Sequence, residues 1–82
     1  MYEDTIKMEF PQFRKLENGK SLYQILSPTQ FIEWQQIGST WHRYEFEVRQ
    51  FPDLVRLQEM LQANRPFERL PEIEFQALLA TL

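Results

Sequence analysis

Asn18-Gly19 is the residue pair that most narrows the folds open to this chain. Both central positions of a type I′ turn need positive φ, which Asn and Gly tolerate, and such a pair between two extended runs folds them into an antiparallel hairpin. The runs are present, Phe13 to Glu17 before the pair and Lys20 to Leu26 after it. Leu22 and Tyr23 are adjacent, so on a strand they point to opposite sides and cannot both face one core.

Two further strands follow from strict alternation. In Thr5 to Phe10, Ile6, Met8 and Phe10 share one face while Thr5, Lys7 and Glu9 share the other, and Pro11 then interrupts pairing because it has no N–H to give. Thr40 to Val48 alternates as clearly: His42, Tyr44, Phe46 and Val48 are expected to face a core, and Trp41, Arg43, Glu45 and Glu47 to face water.

Between them, Leu26-Ser27-Pro28-Thr29-Gln30-Phe31 carries the signals of a helix start. Ser27 can cap, Pro28 suits the first helical position, Gln30 completes a capping box, and Leu26 and Phe31 can form a hydrophobic staple. The expected helix buries Phe31, Trp34 and Ile37 and stops at Gly38, although Ile32 and Trp34 also alternate with Glu33 and Gln35 as in a strand. A second helix is expected over Asp53 to Gln62, with Leu54, Leu57 and Leu61 on its apolar stripe and Asn64 and Pro66 ending it. Past a linker through Phe67 and Leu70-Pro71, Phe75, Leu78, Leu79 and Leu82 fall at the spacing of a final amphipathic helix.

The order is β-β-β-α-β-α-α. It implies an α+β fold with a small, largely antiparallel sheet of three to four strands and two to three helices packed on one face. The helix between the third and fourth strands would allow one parallel pairing. At 82 residues, 43% hydrophobic and 26% charged, the chain reads as a single domain over residues 1–82, too apolar to be disordered.

The composition removes whole classes of chemistry. With no cysteine there is no disulfide, thiolate metal site or thiol nucleophile. Two glycines cannot build a P-loop or a dinucleotide fingerprint, and no cofactor is expected. Nine Lys and Arg against twelve Asp and Glu leave a net charge of −3, which opposes binding to phosphate backbones and anionic lipid, so neither nucleic acid nor membrane is an expected partner. Arg14, Lys15 and Lys20 gather near the predicted turn and the other arginines lie among carboxylates, as expected of solvated faces. Residues 1–7 lack the pattern of a secretory signal and the longest apolar run is Ala77 to Ala80, so a cytoplasmic protein is the default expectation.

His42 is the only histidine, and Ser39 stands three residues before it. Residues three apart on a strand face opposite ways, so a Ser39–His42 nucleophilic pair is not expected; a histidine hydrogen-bonded on an apolar face beside Tyr44 is. Glu45 and Glu47 share one strand face at about 7 Å, a spacing that can hold a cation, yet further ligands are not in view and pairing with Arg43 or Lys7 is the simpler reading. Trp41 is the aromatic residue that fits a core least well. It projects from the predicted wet face beside Arg43, unless the N-terminal segment with Tyr2 or the loop Asn64 to Leu70 covers it. Trp and Arg are the residues most enriched at binding hot spots.

The leading expectation is therefore a non-catalytic domain that binds another protein or itself, with Trp41, Arg43, Leu79 and Leu82 as the candidate surface. The alternatives are a small-ligand or enzyme site around His42 and Tyr44, and single-stranded nucleic-acid binding through Trp41 and Arg43. Self-association through the wide apolar stripe of the last helix would bury the same patch twice across a two-fold axis. At the turn, Gly19→Val is expected to destabilise the fold by about 1 kcal/mol or more, because a β-branched residue resists positive φ. An unchanged urea midpoint would show that no such turn forms.

Overall fold

The computed structural model describes residues 8–82. It contains β1 (Gln12–Leu16), β2 (Ser21–Ser27), β3 (Gln30–Ile37), β4 (Thr40–Glu47), α1 (Phe51–Leu61), β5 (Phe67–Arg69) and α2 (Glu72–Leu79). The strands form one antiparallel five-stranded sheet in the order β4-β3-β2-β1-β5, so the class is α+β. Every pairing is antiparallel, which corrects the parallel crossover allowed by the sequence. The strand expected over Thr5 to Phe10 falls largely outside the described residues, and Met8 to Phe10 are not in a strand.

The β1–β2 hairpin is present, with a different turn. Gly19 N–H donates to the Leu16 carbonyl at 2.9 Å, closing a turn centred on Glu17 and Asn18. Of Asn18 and Gly19, only Gly19 has positive φ, +74°. The loop is thus a type I turn followed by a left-handed glycine rather than a two-residue I′ turn. Asn18 contributes through its side chain, whose Oδ1 accepts the Lys20 N–H at 2.8 Å.

The helix expected from Ser27 to Gly38 is instead β3. The capping signals are used by a tight turn: Ser27 Oγ accepts the Thr29 N–H at 3.2 Å, the kind of bond a helix N-cap would accept. Gly38, at φ +64°, opens the Gly38-Ser39 turn that leads into β4, with Ile37 opposite Thr40. The deciding force is burial on two sides. Phe31, Ile32 and Glu33 are consecutive and all buried, which a strand inside a two-sided sheet achieves and a surface helix with one apolar stripe does not.

The two helices lie on opposite faces of the sheet, which corrects the expected one-sided arrangement. On one face, Leu57 and Met60 of α1 meet Tyr23, Ile25 and Phe31, with Val48 and Phe67 at the margins. On the other, Phe75 of α2 meets Phe13, Leu22 and Leu70. Adjacent Leu22 and Tyr23 are both buried, one in each core. The linker at Phe67 is the short edge strand β5, paired with β1 through Leu16↔Phe67.

Arg14, expected in solvent, is only 4% exposed. Its Nε donates to the Met60 carbonyl at 2.7 Å and one Nη to the Leu61 carbonyl at 3.0 Å, while other bonds reach the Phe13 carbonyl and the Gln12 side chain. α1 has no basic residue in its own last turn, so β1 supplies the positive charge that its C-terminal carbonyls favour. Burial, and then the nearby Arg69 charge, lower the Arg14 pKa; the guanidinium remains charged. Arg14→Met should cost about 2–4 kcal/mol, since it strips charged donors from buried carbonyls. Urea denaturation checks this, and a loss below half a kcal/mol, about the cost of a neutral surface change, would remove Arg14 from the framework.

Candidate functional site

Four of the residues singled out from sequence, Trp41, Arg43, Leu79 and Leu82, meet at one place, the end of the β3–β4 hairpin facing α2. Trp41 and Arg43 of β4 stand beside Gln36 and Trp34 of β3 in the ladder. The Trp34 ring lies edge-on to Phe75 with centroids 5.4 Å apart, and Phe75 in turn packs on Phe13 at 4.5 Å. The Arg43 guanidinium sits 5.8 Å from the centroid of the Trp34 ring and binds the Glu45 carboxylate at 2.5 Å. The face expected to be wet at Trp41 is therefore partly covered, Trp41 packing against the cluster of Phe13, Leu22, Leu70 and Phe75 of α2; Tyr2, the other expected cover, lies outside the described residues.

Trp34, Trp41, Arg43, Leu79 and Leu82, together with Thr40, line an open groove of about 650 Å³. A smaller hollow of about 170 Å³ between Leu22 and Leu78 shares Trp41 and Leu82 with it, so the Trp41 indole forms a wall common to both. Leu79 packs against the core around Phe75, whereas Leu82, past the end of α2, is 44% exposed. The groove thus has a fixed aromatic floor, a cation at one side and a solvent-facing aliphatic lip.

His42 lies elsewhere. β4 is an edge strand, and its expected core face is largely open: His42, Tyr44 and Phe46 are exposed on the side opposite the groove, with Phe46 stacked on Phe31 at 4.8 Å and His42 stacked on Tyr44 at 6.4 Å. Ser39 is in the turn and lines the groove. Glu45 and Glu47 take separate partners, Arg43 and Arg49. No cluster of three His, Cys, Asp or Glu side chains suited to a metal ion occurs among the described residues.

A polar group that the sequence did not disclose lies under α1. Tyr23, 1% exposed, donates its hydroxyl to buried Glu33 at 3.1 Å, and Arg56 of α1 reaches both Tyr23 Oη at 3.4 Å and the Glu33 carboxylate at 3.6 Å. The Arg56 guanidinium also lies 5.8 Å from the centroids of the Tyr23 and Phe31 rings. Only the cross-strand register Tyr23↔Glu33 brings the first pair together. Arg56 covers the carboxylate from the helix, which ties α1 to the sheet interior and leaves a closed structural network rather than an open site.

Comparison with protein-family models, curated proteins and solved structures finds no match to this chain, so the geometry alone carries the functional reading.

Burial, then the Glu33 charge, raise the Tyr23 pKa, with Arg56 and Ser21 opposing. The sign follows: the stability linked to this phenol is whole below the unfolded value of about 10 and is lost as pH rises through the higher folded value. In a phenolate absorbance titration, Tyr23 should ionise above the ordinary tyrosine value of about 10, and that late step should disappear in Tyr23→Phe. A titration with no late step that Tyr23→Phe removes would contradict the buried network.

Proposed function

We propose that this chain is a small non-catalytic protein-interaction domain, acting in the cytoplasm, and that its docking site is the groove between Trp41, Arg43, Leu79 and Leu82. The convergence of these four residues on one open groove carries the reading. Trp and Arg supply large contact area and directional polar contacts at the centres of interfaces. A concave, aromatic-floored groove accepts an aliphatic or aromatic side chain of a partner segment. Beside it, Arg43 can exchange its exposed Glu45 contact for a partner carboxylate or carbonyl at little cost, because an ion pair open to water contributes little.

The exposed position of His42 on the far side of the sheet gives a ligand or enzyme site around His42 and Tyr44 no enclosed wall to use. Single-stranded nucleic acid would stack on Trp41 only against the nearby charges of Glu45 and Glu47. The protein-binding reading is favoured over both.

Peptides selected from a random library on the wild-type domain test it. Their affinity, measured by fluorescence anisotropy, should fall about tenfold or more with Trp41→Ala and with Leu82→Glu, while both variants keep the wild-type circular dichroism and melting cooperativity. Peptides that bind the variants unchanged would overturn the assignment. So would saturable quenching of tryptophan by a single-stranded oligonucleotide at physiological salt.

A further inference from the structure

A second surface, which shares Trp41 and Arg43 with the groove but not Leu79 or Leu82, is the outer edge of β4. This strand ends the sheet, and all of Thr40–Glu47 is at least partly exposed. The helices lie over the two faces of the sheet and make their closest strand contacts at β5 and β1, at the opposite edge. Hydrogen bonding alternates along an antiparallel strand, so residues that bond the neighbour inward alternate with residues whose N–H and C=O point outward. Val48 N–H donates to the Thr29 carbonyl, which sets the parity. His42, Tyr44 and Phe46 bond β3, and the backbone groups of Trp41, Arg43, Glu45 and Glu47 point away from the sheet. Among the described residues no strand pairs with that edge.

We propose that β4 pairs antiparallel with β4 of a second copy of this chain, about a two-fold axis through Tyr44, joining two sheets into one. Charge complementarity selects both the occupant and the register. With the axis at Tyr44, Arg43 stands opposite Glu45 of the second copy, and the symmetry repeats the pair in reverse. Moving the axis to Arg43 sets two guanidiniums face to face, and moving it to Glu45 sets two carboxylates face to face; like charges directly opposite are unfavourable. An axis at His42 avoids both clashes but shortens the ladder and leaves Glu47 beyond its end. The Tyr44 register also places Tyr44 against its own copy at a close, non-hydrogen-bonded position and His42 against Phe46, extending the exposed aromatic row across the junction.

Arg43 and Glu45 are now paired with each other within one strand, with side chains 50% and 68% exposed. Dimerisation exchanges two such contacts, one in each copy, for two cross-strand contacts of the same kind, next to newly satisfied backbone groups. Charged side chains on an edge strand commonly discourage pairing with unrelated strands. Here their alternation repels an arbitrary acidic or basic strand and fits its own copy.

Sedimentation velocity over low to high micromolar concentration, with amide hydrogen exchange by NMR, tests the proposal. The wild type should form a dimer as concentration rises, and the amides of residues 41, 43, 45 and 47, fast in the monomer, should slow in the dimer while those of 42, 44 and 46 are slow in both. Arg43→Glu alone and Glu45→Arg alone should each weaken the dimer by roughly tenfold or more. Mixing these two variants should restore association as a heterodimer, although the intrastrand pair stays broken in each chain. Leu82→Glu should leave the dimer intact, so loss of peptide binding at the groove and loss of this dimer are separable. A wild type that stays monomeric at high micromolar concentration overturns the inference, as do slow outward amides in the monomer, absence of rescue on mixing, or a dimer abolished by Leu82→Glu.

Discussion

Neighbouring residues of a strand point to opposite sides, and through the middle of this sheet both sides are core. Phe13 faces α2 while Arg14 faces α1; Leu22 and Tyr23 divide in the same way. Each core is small, as it must be when 82 residues supply two of them. Because both are built on the same three strands, the pleat that positions one also positions the other. The helices are then held by contacts that the strands dictate. Arg14 holds the C-terminal carbonyls of α1, and Phe75 fixes α2 between Phe13 and Trp34.

That two-sided construction explains where the molecule is available to others. The helices cover the β1–β5 side of the sheet most closely, and β4 is the strand with no buried residue. α2 crosses the face far enough for Leu79 and Leu82 to approach Trp41, which turns a row of strand side chains into a groove. The same incomplete cover leaves the edge of β4 and the aromatic row His42, Tyr44 and Phe46 in contact with water. Polar groups follow a complementary division. Those under α1, Tyr23, Glu33 and Arg56, are tied to one another, while the charges of β4 form exposed pairs that can exchange partners.

Local signals in the sequence determined the hairpin around Gly19, the strand over Thr40–Glu47 and the existence of both helices, because turn φ requirements, period-two alternation and helical spacing each depend on a few nearby residues. They also singled out Trp41 and Arg43, out of place in a simple core, and Leu79 and Leu82 on a wide helical stripe. β3 was ambiguous locally: Ser27 binds the Thr29 N–H in a tight turn as it would at a helix start, and only partners on both sides made the strand the better state. β5 is three residues long, too short to show a period. The burial of Arg14 was hidden as well, since the carbonyls that hold it belong to residues 46 and 47 positions away. Which face each helix covers, and hence that the four candidate residues share one groove, was decided by the tertiary structure. Such choices depend on the summed burial and hydrogen bonding of segments distant in the chain, which no window of neighbouring residues contains.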